Sequence, residues 1–411
     1  MVTLIISASA GCSLFLLGMY LYQRYGLPAI FESLRGGRWH FFVLGAATVL
    51  IMSHQGFHLH SYTPALKGLL GIGLTWIGFR AGLDFDFRQL QQANPGQVRT
   101  EVILLMVSFV ALFSVLSILV PPASPQLVDD GFTYVAVLVL SVIGLTARSS
   151  GFFGVGTGKP IAPVASPVSF MANPAAVLLL CLLYPVVSTP SLGLIGPFRV
   201  TGYLPTIAVL ASLGLLLGIM VDFVFRAHRN GQRCTFLTLS ACAAITGPCL
   251  QLGFPVIVAG FVGGVWVINT TVRKREIAEL SEYATSIVEP IFVLTLGALI
   301  AGHHSPVSID PSATAAVALA FLLLRGLART SRSLAALVPQ TKPPRGQNHS
   351  LYAWLPMGRT SIGLIAQLLL FPMGGATLSA GLLLAVALSQ SIVLPGRVAS
   401  VSRGTQNGTA T

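Results

Sequence analysis

Long apolar runs recur from end to end of this chain, separated by short stretches in which the basic residues collect. A helix needs about 20 apolar residues to cross a bilayer. By that measure the runs predict spans at roughly 3–22, 40–57, 63–83, 101–121, 131–150, 164–188, 203–225, 234–252, 254–271, 283–301, 311–337, 352–371 and 375–396, about thirteen in all. The softest division is the tight pair of spans around Gly253–Pro255.

Composition turns this pattern into a class. The 411 residues are 54% hydrophobic and 9% charged, whereas soluble domains carry roughly 25% charged residues. The chain therefore reads as an all-α polytopic membrane protein, with the bilayer as its first partner. A net charge of +12 would suit nucleic acid, but the basic residues sit in loops between apolar runs, as the positive-inside rule requires. No nucleic-acid partner is expected. Cys12, Cys181, Cys234, Cys242 and Cys249 fall in or at apolar runs without metal-ligand spacing and read as small buried hydrophobes. No basic residue precedes the run beginning MVTLIISASAG, which reads as a first span rather than a cleaved leader.

Charge also sets orientation. With the N-terminus outside, inner loops collect Arg24, Arg35 and Arg38, then Arg226, Arg229 and Arg233, then Arg273, Lys274 and Arg275. Outer loops carry only Lys67 and Arg199, with the acidic pair Asp129–Asp130. An odd number of spans follows, with the C-terminal tail in the cytoplasm. The expected location is a bacterial inner (plasma) membrane.

Two spans are interrupted. SVIGLTARSSGFFG (141–154) ends in Gly, Ser and Thr around Arg148, and LPMGRTSIGLIAQ (355–367) opens with Pro356, Gly358, Arg359, Thr360 and Ser361. Such sequences leave backbone groups unpaired in lipid, which is tolerated where they are buried in protein or line a cavity. A pair of Gly/Pro-interrupted spans marks inverted-repeat transporters; packed small-residue helices are the plainer reading.

Intramembrane charges are few. Arg80, Asp222, Arg329 and Arg332 lie near span ends and can snorkel. Glu289, which precedes Pro290, and Arg325 lie deeper. They are either functional groups or a structural ion pair. His54 and His58 share a helical face, but with His60, His303 and His304 they read as interfacial polar residues rather than a metal site. The chain shows no hydrolase triad, phosphate loop or paired carboxylates. No enzymatic activity, cofactor or metal is expected.

Several stretches resemble the monovalent cation/proton antiporter superfamily, the sodium/hydrogen exchanger-like membrane domain. WIGFRAGLDFDFRQL (76–90) is similar to its span-three signature, a Gly-Leu-acid-hydrophobe-Asp run. AGFVGGVWVINTTVRKREIAEL (259–280) resembles its Asn-Thr span end and the acidic loop that follows. EPIFVLTLGALIAG (289–302), LLLRGLART (322–330) and LPMGRTSIGLIAQLLL (355–370) resemble the later spans, in family order. The resemblance implies a transmembrane domain over 1–396 and a short tail over 397–411. Its scaffold and dimer part would be about 1–90 and 234–302, its moving core about 101–190 and 311–396, and its linker helix about 203–226. It also implies inverted repeats, two crossed broken helices, alternating access and a homodimer.

The resemblance places Asn173 and Pro174 of SFMANPAAVLLL (169–180) where the family carries an ion-binding Asn-Asp or Asp-Asp pair. Pro174 stands where the Asp is expected, and residues 131–221 hold no Asp or Glu at all. An amide can coordinate an ion through oxygen but cannot release a proton, and Pro174 adds only a freed carbonyl, that of Phe170. Arg325 takes the place of the family's core cation, and Arg359 stands at the start of the second broken helix. Three functions follow as expectations. The first is exchange of sodium or potassium for protons, with Glu289 titrating and Asn173, Thr146 and Thr360 as oxygen ligands. The second is transport of another solute, such as an anion met by Arg325 and Arg359. The third is a transport-inactive paralogue serving as partner subunit or sensor.

Overall fold

The computed structural model describes residues 39–54, 63–92, scattered positions within 95–114, 172–187, 203–227, 231–271, 273–302 and 359–370. Every element among the described residues is helical. These are α1 (Trp39–His54), α2 (Thr63–Leu83), α3 (Phe87–Gln92), α4 (Ala172–Val187), α5 (Tyr203–Ala227), α6 (Gly231–Gln251), α7 (Val256–Thr270), α8 (Lys274–Gly302) and α9 (Arg359–Leu370). The expected spans at 3–22, 131–150, 311–337 and 375–396 and the tail at 397–411 lie outside the described residues. So do the first interrupted helix, Thr146 and Arg325.

Among the described residues, three helices are long and apolar enough to cross a membrane: Tyr203–Ala227, Arg233–Gln251 and Glu276–Ala301. The first shows how a bilayer shapes a helix. α5 buries Thr206, Leu210, Gly214, Leu217, Gly218, Val221 and Phe225 on one face. Its other face is no less apolar, with Leu204, Leu216, Ile219 and Phe223 exposed. In water an amphipathic helix would carry charges there; a helix apolar all round with one side uncovered suits lipid.

The span expected at 283–301 is longer than its apolar part. α8 is one continuous helix of 29 residues, about 43 Å long against an apolar layer of about 30 Å. The stretch expected as an acidic loop is its first two turns. Ile277, Ser281, Ala284, Thr285 and Val288 are all buried and recur at helical spacing, so packing on one face holds the polar turns in register.

α2 and α7 form the centre. α2 packs against α4, α6, α7, α8 and α9, and α7 against α2, α4, α5, α6 and α9. Inside lipid, apolar contact between helices gains little from leaving water, so close packing and polar bonds must hold them. Glycine supplies the closeness. A Cβ on Gly78 or Gly82 of α2 would lie 2.0 Å or 2.2 Å from the carbonyl oxygen of Ile257 or Phe261 on α7. Reciprocally, a Cβ on Gly260 or Gly264 of α7 would lie 2.0 Å or 2.1 Å from the carbonyl of Thr75 or Phe79. Each helix thus lays a Gly-x-x-x-Gly ridge against the other's backbone. α1 and α8 repeat the device, with Gly45 against the Leu294 carbonyl and Gly297 against that of Phe42. Gly214 and Gly218 of α5 accept Val262 and Trp266 from the outer face of α7.

Buried hydroxyls bond within their own helices. Thr238, Thr285 and Thr295 donate to the carbonyls four residues back, as expected where water is absent. Thr75 and Thr246 add a cross-helix contact of 2.8 Å to their own back-bonds of 3.0 Å and 2.7 Å. Two protons serve these three contacts, so one hydroxyl donates across from α2 to α6 or the reverse. Cys234, Cys242 and Cys249 are buried thiols outside any disulfide, spaced along α6, as expected of small hydrophobes.

The division at Gly253–Pro255 is a Schellman turn. Phe254 N–H donates to the Cys249 carbonyl at 2.8 Å and Gly253 N–H to that of Leu250 at 3.2 Å. Gly253 has φ 71°, a left-handed conformation natural to glycine, and Pro255 then prevents α6 from continuing.

Candidate ion site and the helices around it

Polar residues gather at the two ends of α7 and at intermediate depth beside it. The first end is a clamp. Asn269 accepts from Phe87 N–H at 2.9 Å and donates to the carbonyls of Phe85 at 3.0 Å and Val265 at 2.8 Å. It thereby ties the end of α7 to the chain leaving α2. Asp86 caps α3 by accepting from Arg88 N–H at 3.0 Å and pairs with Lys274 at the start of α8. Burial pushes the Asp86 carboxyl up, but the Lys274 hydrogen bond, the Arg88 N–H and the charges of Lys274 and Arg88 outweigh it and hold it below the usual carboxylate value. Arg80 reaches Glu282 at 2.7 Å and Ser281 at 3.0 Å, and Arg273 reaches the Phe225 carbonyl at 3.3 Å. Three loops that charge assigns to one side therefore meet at one end of the bundle. The Asp and Asn that carry the resemblance at 76–90 and 259–280 are partners in this clamp.

At the other end, two side chains meet the α6–α7 turn. The Tyr184 hydroxyl of α4 donates to the Gly253 carbonyl. The Gln367 Oε1 of α9 accepts from Ile257 N–H at 3.3 Å. Pro255, the residue before α7, offers no side-chain cap, so the cap comes from another helix. Neither residue is among the sequence candidates: Tyr184 stands in no motif, and Gln367 ends the interrupted stretch LPMGRTSIGLIAQ without a signal that marks it as a cap.

These two contacts fix the level of the candidate ligands. Asn173 lies about 16 Å from Tyr184 along α4, and Thr360 about 10 Å from Gln367 along α9. Both therefore lie in from that end, on helices that pack with α7. Asn173 is 6% exposed, and its Oδ1 has no hydrogen-bond partner among the described residues. Pro174 is buried in the first turn of α4, where a missing N–H breaks no ladder bond. The Phe170 carbonyl it would free lies outside the described residues. Thr360 and Ser361 are buried at the start of α9. Arg359 is its first residue, with a side chain outside the described set. Gln367 keeps its Nε2 without a partner among the described residues.

Glu289 belongs to a different neighbourhood. It is 1% exposed and lies about 10 Å along α8 from Glu282, the partner of Arg80. Thr285, one turn before it, accepts from Trp76 Nε1 at 3.1 Å, and Phe292 packs where a Cβ on Gly73 would stand. Helical spacing therefore turns Glu289 toward α2. Among the described helices, α8 packs mainly against α1, α2 and α6, and α4 against α2, α5 and α7. α2 therefore packs against both the helix of Glu289 and the helix of Asn173. It presents Gly73, Trp76 and Arg80 to α8, and Ile77 to Gly363 of α9. Among the described residues no cluster of His, Cys, Asp and Glu could hold a metal ion.

A scan against protein-family models finds no match for this chain, and a search of curated proteins finds none.

Proposed function

We propose that this membrane protein is a secondary transporter of the cation:proton antiporter kind, moving sodium or potassium against protons by alternating access. The observation that carries the reading is the buried Asn173 Oδ1, an acceptor with no partner among the described residues at intermediate depth. A buried oxygen in that condition suits a dehydrated cation. Thr360 adds a hydroxyl on α9. The reciprocal glycine crossings of α2 with α7 and of α1 with α8 support an inverted repeat, because exchanging α1 with α7 and α2 with α8 turns one crossing into the other.

Asn173 cannot carry the proton, so the reading assigns that part to Glu289. A carboxyl buried to that extent is held by a proton, a hydrogen-bond donor or a cation, and exchange among these holders is the chemistry antiport needs. α2 would couple the two sites. Arg325 keeps the place of the core cation that the resemblance implies, Thr146 remains an expected oxygen ligand, and the expected assembly is a homodimer. The amide at 173 and the proline at 174 favour a second reading, in which the same fold carries another solute such as an anion, or serves as a non-transporting partner subunit.

The test is transport in proteoliposomes under a pH gradient, with sodium, potassium and lithium added in turn. The proposal expects the gradient to collapse on cation addition, and the collapse to disappear in Glu289→Gln. A folded protein that answers no cation would leave the second reading.

A further inference from the structure

We propose that the turn between α6 and α7 is a releasable docking stop for α4 and α9. Tyr184 and Gln367 grip its backbone in the observed arrangement and let go of it in a second one. The inference rests on the reading of α4 and α9 as moving helices.

Consider what the turn leaves open. The Schellman bonds consume the N–H groups of Gly253 and Phe254 and the carbonyls of Cys249 and Leu250. The Gly253 carbonyl and the Ile257 N–H point away from that closed set. Both are met by side chains, one from each of the two helices that carry the candidate ligands, across 69 and 110 residues of sequence. The surrounding turn is dry, with Phe254 at 3% and Val256 and Ile257 at 0% exposure. An unmet backbone group there would be expensive. The turn lies at an end of α7, so water can replace both partners once α4 and α9 withdraw. Side-chain bonds that water can replace are suited to release. The backbone contact of α7 with α2 is not, because parting those glycine ridges would open a void in lipid.

The contrast with the clamp at the far end supports the assignment. There, Asn269 ties α7 to the chain leaving α2, and Lys274 ties α8 to Asp86 in the same stretch, within the part expected to stay still. At the turn, the described side-chain partners come from the part expected to move. Sliding of α4 and α9 past α7 would therefore break the Tyr184 and Gln367 bonds and leave the clamp intact.

The experiment is pulsed electron spin resonance on the full chain in lipid nanodiscs, with the five native cysteines replaced by alanine. Spin labels go on Leu182→Cys of α4 and Leu237→Cys of α6, both exposed. The proposal expects two label separations. Tyr184→Phe with Gln367→Met should lower the weight of the docked separation relative to the other by about tenfold. Each substitution alone should lower it about threefold, which keeps the test open should the double variant fail to fold. Two separations with an unchanged ratio would overturn the docking stop while leaving the moving helices intact. A single separation in every protein would overturn both. The measurement needs no transported ion, so failure of the flux assay is read separately.

Discussion

On its α2 side, α7 meets its neighbour backbone against backbone, with no side chain between Gly260 and the Thr75 carbonyl or between Gly264 and that of Phe79. On the side of α4 and α9, long polar side chains reach it, and they bond to a turn at its end. The first kind of contact gains dispersion along its whole length and tolerates no insertion. The second rests on a few hydrogen bonds, each a net gain of about 1 kcal/mol, and each replaceable by water. Neither apolarity nor burial distinguishes these sides. They differ in whether the joining atoms belong to the main chain or to rotatable side chains.

Substitution can break that comparison in order of size. Gly260→Leu should be the most damaging change, because no rotamer removes a Cβ that stands 2.0 Å from a carbonyl oxygen. A loss on the order of 3 kcal/mol or more is expected, visible as aggregation on size-exclusion in detergent. A Gly260→Leu protein with native retention and thermal midpoint would sink the account of the crossing. Asn269→Ala comes next. It removes one acceptor and two donors from the clamp and should lower stability by about 2–3 kcal/mol, with exchange of the Phe87 amide as the local readout.

Asp86→Asn is smaller, about 1 kcal/mol, because the Lys274 partner is partly exposed. Its signature is pH dependence. An unfolded Asp titrates near pH ~3.9, and the folded value is lower. The contribution of Asp86 is therefore complete above about pH 4 and is lost as pH falls through the folded value. Thermal midpoints between about pH 6 and pH 3 should converge for the native chain and Asp86→Asn at the acid end. Parallel curves would mean that the pair is idle. Least of all, Gly247→Ala meets nothing within 4 Å and should be neutral or stabilising by up to about 1 kcal/mol through helix propensity. Melting this variant beside Gly260→Leu separates glycine as a contact from glycine as a residue type.

Much of the frame was legible because bilayer spans announce themselves by hydropathy. The run at 63–83 is α2, the run at 203–225 is α5 with two further residues, and the Gly-Phe-Pro break is the turn it was expected to be. The start of α8 was not legible, since hydropathy sees where lipid begins and Lys274–Glu282 is helical without being apolar. Burial of Asn173 and Glu289 could be anticipated from their positions in apolar runs. The turn of Glu289 toward α2 could not, because it depends on a crossing between segments some two hundred residues apart. Tyr184 and Gln367 were invisible for the same reason. Which carbonyl or amide a helix end leaves open is known only once its neighbours are in place.

The thiols of α6 have a use that follows from where they sit. Cys234, Cys242 and Cys249 occupy the start, middle and end of that helix on one buried face, while Cys181 of α4 is partly exposed. The chain thus carries its own depth gauge. Of these four thiols, a membrane-permeant maleimide should mark Cys181 first and leave the α6 thiols dark while the helix is seated. The order in which they light up on heating would report which end of the helix comes away first, with no engineered probe.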